Sequence, residues 1–429
     1  MPLKSYDYKY GQGSLQFQVN SDQVLGELKI KDSPVLNNVE DAIRAAIRNP
    51  IGSPALKDIV KPGQTVVFIV NDPTRVANSH VFMPILLDEV NAAGVKDEDV
   101  SIIFALGAHR NMTMEEMTKE VGEEVTKRMQ GPNGHRMFNS DYQDQSQYKY
   151  FGDTSRGTPV WIHKIVAEAD HVIATGSVVH HFFAGFGGGR KAVFPGVCYY
   201  ETIRKNHSMI FDPNAVIGRL HGNPIYEDQI EGVEMCKPSF LFNAVLNEKK
   251  EFINIFAGDY IKAHLEAVKL VDEVYGAVIE KEADLVIVSC GGYPKDINVY
   301  QLQKTMDNAW CAVRPGGVVI ILGECCEGSG SAAFEKLMQE NDTPEKVEAT
   351  VRANFQIGAH KAYAVTRLMK KAEFILVSTL EEKLAKTLLF TPAANVETAL
   401  EMAYKKLGPS PSIILMPQGS LTVPIVKKS

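Results

Sequence analysis

At 429 residues the chain is too long for one ordinary core, and its 45% hydrophobic and 23% charged residues exclude a disordered or fibrous protein. A formal charge of −7 without any block of like charges leaves no basic arm for nucleic acid and no polybasic anchor for a membrane. No apolar run approaches the roughly eighteen residues that a membrane-spanning helix needs, and the opening MPLKSYDYKYG lacks the apolar stretch of an export signal, so the expectation is a cytoplasmic protein. Six cysteines (Cys198, Cys236, Cys290, Cys311, Cys325 and Cys326) occur without a CxxC pair and read as reduced core or loop thiols, the vicinal pair included.

In chain order, the alternating segment Lys4 to Asn20, broken by Gly11 and Gly13, predicts an edge hairpin. Buried β-branched strands follow at Thr65 to Val70, Ser101 to Leu106 and His171 to Thr175, with helices starting near Val39, Val81 and Met114. The last of these carries a capping box, Thr113 with Glu116. After a helix at Lys262 to Tyr275, a second series of strands is predicted at Leu285 to Cys290, Val318 to Leu322, Phe374 to Val377 and Ile413 to Met416. The βαβ rhythm predicts an α/β fold of two domains, 1–276 and 277–429, each an open, largely parallel sheet flanked by helices, with the active site in the cleft between them. The terminal segment from Pro411 reads as a last strand of the second domain or as one that crosses back to the first. Ligands of such sheets bind beyond the carboxyl ends of the strands, so functional residues are sought in the loops there.

Four polar clusters stand at those ends. The first is Asn71-Asp72-Pro73-Thr74-Arg75, a turn that leaves at the sheet's mouth an arginine whose planar fork suits a carboxylate; it also reads as a turn with a surface ion pair. The second, Gly107-Ala108-His109-Arg110, projects an imidazole that titrates near neutrality, the usual general acid or base, or simply an exposed loop histidine. The third, densest cluster runs from Gly176 through His180-His181-Phe182-Phe183-Ala184-Gly185-Phe186-Gly187-Gly188-Gly189-Arg190-Lys191 to Phe194-Pro195-Gly196 and Asn206-His207. Its glycines beside an Arg-Lys pair look like a backbone nest for a phosphate. It is neither a Walker A loop nor GxGxxG, because Arg190 precedes Lys191 and Ala192 follows it. Nor do His180, His181, His207 and His221 have the spacing of a zinc set. The fourth, Gly291-Gly292-Tyr293-Pro294-Lys295-Asp296-Ile297-Asn298-Val299-Tyr300-Gln301-Leu302-Gln303-Lys304, puts Gln301 and Lys304 on one helix face, able to hold one anion or to form a solvated first turn.

Taken in order, NDPTR, GAHR, HHFFAGFGGGRKAVFPG, ETIRKNH and GGYPKDINVYQLQK resemble the lactate racemase family over about residues 70–305. A histidine ten residues before a lysine and another sixteen after it make the resemblance specific. It implies a racemase or epimerase that inverts C2 of a small 2-hydroxy acid by hydride transfer to a nickel-pincer nucleotide, pyridinium-3-thioamide-5-thiocarboxylic acid mononucleotide. The cofactor would be covalently held on Lys191, with His207 as the protein ligand to nickel; neutral imidazole is a good nickel donor. His109 and His181 would be the paired acid and base. Arg75, Gln301 and Lys304 would hold the substrate carboxylate, and Tyr300 would form the wall against its side chain. Asp72, Gly187, Gly188, Gly189, Arg190 and Phe355 would bind the cofactor. Cofactor maturation enzymes are implied partners, and without them the protein would be apo, with Lys191 free.

Phe355-Gln356 stands where lactate enzymes of the family are expected to carry Trp-Gln. The resemblance therefore covers larger 2-hydroxy acids (malate, an aromatic or branched lactate analogue, a sugar acid) as well as lactate. Two rival functions remain at this stage: a nickel- or nucleotide-binding protein without turnover, and an NAD dehydrogenase. The pair of histidines speaks against the first and the lack of an intact GxGxxG against the second.

Overall fold

A computed structural model describes residues 2–132 and 134–427. The chain divides into two compact units: Ser33–Val271, and the residues up to Asp32 together with those from Asp272 onward. Both are α/β, and each is built on a six-stranded sheet.

In the first unit the sheet order is Phe252–Gly258, Phe240–Leu246, His171–Ser177, Val66–Asn71, Val100–Ala105, Met137–Asn139. All neighbours are parallel except the first pair. The strand Val66–Val70 is wholly apolar and buried on both faces, as a central parallel strand must be. Helices Val39–Arg48, Ser79–Ala92 and Met114–Val121 cover one face, packing Ile43, Ile47, Phe82 and Leu86 against Phe68, Phe104 and Phe242. The capping box is present: Glu116 N donates to Thr113 Oγ1 at 3.2 Å while Thr113 N donates to Glu116 Oε2 at 2.9 Å. Periodicity does not single out Phe240–Leu246 and Phe252–Gly258, where near-continuous apolar runs flank a polar turn, yet these two strands complete the sheet.

In the second unit the order is Thr391–Ala393, Glu373–Val377, Val313–Leu322, Ala283–Ser289, Ile413–Met416, Val24–Glu27, parallel throughout. Here the structure departs from the boundary expected at 276/277: the first 32 residues belong with the C-terminal segment. The reason is twofold. Val24–Glu27 pairs with Ile413–Met416, and the hairpin Leu3–Tyr10/Gly13–Asn20 lays Tyr6, Tyr8, Phe17 and Val19 on a core with Leu285, Ile320 and Leu415. Burying Phe17 and Val19 alone contributes about 1.5–3 kcal/mol apiece. The last strand, Val423–Val426, pairs with Gly276–Ile279 of the same unit and so does not cross back. Among the described residues no helix is long and apolar enough to cross a membrane, and all six cysteines are free thiols.

Candidate active site

Parallel register brings the first two clusters together. Asn71 is paired with Ala105, so the turns that follow these neighbouring strands emerge side by side. Asp72, 3% exposed, accepts from Thr74 N at 3.1 Å and Thr74 Oγ1 at 2.6 Å through Oδ1, while Oδ2 meets His109 Nδ1. Burial pushes the Asp72 carboxyl up, but the bonds from His109 and Thr74 and the charge of Arg75 outweigh it and hold the group below its ordinary range. An ionised Asp72 accepts the Nδ1 proton of His109, which leaves Nε2 of the neutral ring with its lone pair. His109 itself rises from a turn in which Gly107, at φ +55°, donates to Gly196 O at 3.0 Å. Arg75 is exposed, and its charge reaches His181 and Lys191 as well as Asp72.

The third cluster folds into a tight knot behind these turns. His181 lies on a two-residue strand, His180–His181, paired with Gly185–Phe186. Its Nδ1 accepts the Ala184 N–H at 3.3 Å, so the neutral ring carries its proton on Nε2, which sits 3.5 Å from Lys191 Nζ. Burial, followed by the charges of Lys191 and Arg75, holds His181 well below the usual imidazole range. Burial, followed by the charges of Arg190 and Arg75, holds the Lys191 amine well below the usual lysine range. Both shifts favour the uncharged forms.

Phe183, 2% exposed, is the common wall of this knot. Its ring stands edge-on to His181 at 4.5 Å and to His207 at 5.0 Å between centroids, and Lys191 Nζ lies 5.7 Å from its centre. The sequence reading gave this residue no role, since one phenylalanine among the cluster's four carries no signal of its own. His207 ends the helix Tyr200–His207.

The glycines and Arg190 behave differently from the expected phosphate nest. A Cβ on Gly188 would come within 2.9 Å of Asn243 Oδ1, and one on Gly189 within 2.6 Å of His264 Cγ. The Gly189 N–H is committed to Asn243 Oδ1 at 2.8 Å, and His264 Nε2 donates to Gly187 O at 2.8 Å. Burial pushes His264 down to about 3, so the ring is neutral and can donate there. These glycines thus let the turn pack closely on two side chains that sequence reasoning missed, because Asn243 stands on an unforeseen strand. Arg190, 1% exposed, bonds inward to Gln229 Oε1, Ala184 O and Phe186 O and lies 4.5 Å over the Tyr226 ring, so it stiffens the turn from within.

The remaining predicted residues belong to the second unit. Asn298 caps the helix Val299–Trp310 by accepting from Gln301 N at 3.0 Å, and Lys304 Nζ donates to Gln301 Oε1 at 3.1 Å. The pair offers an ammonium and an amide N–H₂ group on one helix face. Tyr300 is part-exposed and has Lys361 Nζ 4.2 Å over its ring. Phe355 is buried and stacks on His360 at 5.8 Å.

A parallel sheet with ionisable side chains gathered beyond its carboxyl ends defines an α/β enzyme, and the relatives make its class an isomerase of the racemase kind. The chain belongs to the lactate racemase family: residues 10–218 match the lactate racemase N-terminal domain and residues 278–424 the lactate racemase C-terminal domain. It is 32% identical to the lactate racemase of Thermoanaerobacterium thermosaccharolyticum over 97% of this chain and 98% of that one. The corresponding figures for the lactate racemase of Lactiplantibacillus plantarum are 31%, 97% and 99%. The solved lactate racemase apoprotein from T. thermosaccharolyticum superposes with a TM-score of 0.87 at 30% identity, over 98% of this chain and 100% of that one. A crystal structure of a Thermotoga maritima protein, 18% identical with a TM-score of 0.64, shares the fold.

Proposed function

We propose that this racemase inverts C2 of a small 2-hydroxy acid, lactate or a close analogue, with His109 and His181 as its acid–base pair and a nickel-pincer nucleotide joined to Lys191. The observation that carries the reading is geometric: the half-buried Lys191 amine lies 3.5 Å from His181 Nε2. Burial and the neighbouring arginines favour the uncharged amine, the form that a covalent attachment needs, and it lies beside one of the two proposed bases. The names of the two curated relatives support the substrate class.

The residues present fit such a group. Lys191 offers the attachment point, His207 an imidazole donor against the same phenylalanine, and the glycine turn that leads into Lys191 is braced by Asn243 and His264. When bound, the nickel-pincer group supplies the acceptor for the C2 hydrogen. The protein's part is proton handling and positioning. His109 accepts the hydroxyl proton of one enantiomer on Nε2, and Asp72 stabilises the imidazolium that results. His181, once protonated to the imidazolium, gives that proton to the carbonyl oxygen as the opposite enantiomer forms and returns to the neutral ring; in the reverse direction the two exchange roles. Within the first unit Arg75 provides a fork for the substrate carboxylate; Tyr300, Gln301 and Lys304 stay substrate-binding proposals that follow from the family resemblance alone.

The test is co-production with the cofactor maturation enzymes, followed by chiral chromatography of single-enantiomer 2-hydroxy acids. The proposal expects inversion of lactate or a near analogue, lost in both His109→Ala and His181→Ala. A protein carrying the adduct on Lys191 that inverts no acid of the panel would overturn it.

A further inference from the structure

Behind the Lys191 turn runs a line of buried polar side chains for which the proposed chemistry has no use. Asp228, fully buried, accepts from Thr154 Oγ1 at 2.6 Å and from Asn206 Nδ2 at 2.8 Å. Asn206 Oδ1 accepts from Gln229 Nε2 at 3.1 Å, and Gln229 Oε1 accepts from Arg190 Nε at 3.1 Å. The polarity of this line is forced from its ends. A carboxylate only accepts and a guanidinium only donates, so each amide turns its N–H₂ toward Asp228 and its oxygen toward Arg190. Asn206 has a second reason for that orientation, since its Nδ2 also donates to Ile225 O at 3.2 Å.

Two members of the line matter because of their neighbours in sequence. Arg190 immediately precedes Lys191, and Asn206 immediately precedes His207, on elements that are otherwise separate: the glycine turn and the helix Tyr200–His207. Asn206, Asp228 and Gln229 are each 0% exposed, so these bonds form away from water, and with both ends fixed the line has one polarity.

We infer that Asp228, Asn206 and Gln229 are positioning residues: through Arg190 they set the Lys191 turn at a fixed distance and angle from the helix that carries His207. The inference rests on the reading of Lys191 as attachment point and His207 as metal donor. Neither position can shift alone without breaking a buried bond, so a group held at both would meet a preformed frame. Outer partners of metal-binding side chains commonly control affinity in this way.

The test uses Gln229→Leu, which removes both central bonds while keeping the bulk, and Thr154→Val, which removes the outermost bond to Asp228 and, outside the line, the one that Thr154 Oγ1 accepts from Thr158 N. Hydrogen exchange is first measured on the protein without cofactor. The expected result for Gln229→Leu is faster exchange in residues 184–194 and 200–208 together, with a smaller change of the same kind in Thr154→Val. Exchange altered only in the helix Pro224–Glu234 would overturn the inference. After co-production with the maturation enzymes, adduct-bearing Gln229→Leu should lose nickel to a chelator about tenfold faster than the parent. Its kcat should fall by about the same factor with KM within about twofold. Nickel retention and kcat equal to the parent's would likewise overturn it. If Gln229→Leu does not fold, Thr154→Val decides alone, and an unchanged exchange pattern in both segments counts against the relay. A parent protein without adduct mass on Lys191 would instead refute the cofactor reading, and the exchange measurement would still judge the relay.

Discussion

Asp72 receives Nδ1 of His109, and both residues stand on turns that leave neighbouring parallel strands at the same level. The contact fixes the histidine's tautomer and gives the imidazolium a counter-charge. Asp72→Asn keeps the shape but lets His109 adopt either tautomer, so kcat should fall by about 10³-fold with little change in KM, measured on the loaded enzyme.

The same pair makes a pH prediction for stability. The folded-state pKa of Asp72 is depressed, so its contribution is complete above the unfolded value of about 3.9 and disappears as the pH falls through the folded one. In urea titrations, the wild type's advantage over Asp72→Asn should be constant above about pH 5 and shrink progressively below about pH 4. An advantage that instead grows on acidification would contradict the assignment.

The lowered pKa of Lys191 should be measurable before any cofactor is present. In trace labelling with acetic anhydride followed by peptide mass analysis, its reactivity should level off at a lower pH than that of exposed lysines, which titrate near about 10.4. Arg75→Ala removes one of the charges that depress it, so the plateau should move upward in that variant, though not to the exposed value, because burial is the larger cause.

Arg75→Lys tests the carboxylate fork. A lysine keeps the charge but cannot bind two oxygens in one plane, so KM should rise about tenfold, equivalent to about 1.4 kcal/mol, with kcat within a few-fold. An unchanged KM would remove Arg75 from substrate binding.

Two glycines with nearly the same backbone angle should respond differently to alanine. Gly189, at φ +54°, would drive a Cβ to 2.6 Å from His264 Cγ, whereas Gly107, at φ +55°, has open space there. Gly107→Ala should cost about 1–2 kcal/mol from backbone conformation alone. Gly189→Ala adds overpacking and should cost about 2–5 kcal/mol in urea unfolding, partly relieved by His264→Ala.

Much of this architecture is already written in one dimension. Apolar runs such as Val66–Val70 and Ile413–Met416 have no stable place except inside a parallel sheet, and turn residues such as Asp72-Pro73 end them where a ligand can be met. Lys262–Tyr275 and the Thr113 cap are equally local, because helix periodicity and capping depend on residues a few positions apart. The glycine-rich cluster, with His181 and Lys191 inside it, also declares itself through composition and spacing.

By itself, then, the sequence determined the alternation of elements, the turns in which chemistry is sought and the family those turns resemble. Only the tertiary structure decided what the residues do to one another. It moved the first 32 residues into the second unit, because the pairing of Val24–Glu27 with Ile413–Met416 joins segments nearly 400 positions apart, a contact no local pattern encodes. It turned Arg190 inward, and it gave Gly188 and Gly189 their packing partners in Asn243 and His264. Burial and neighbouring charge lower the pKa of Lys191, and a bond from a neighbouring turn orients His109; both are properties of surroundings that exist only once the chain has folded.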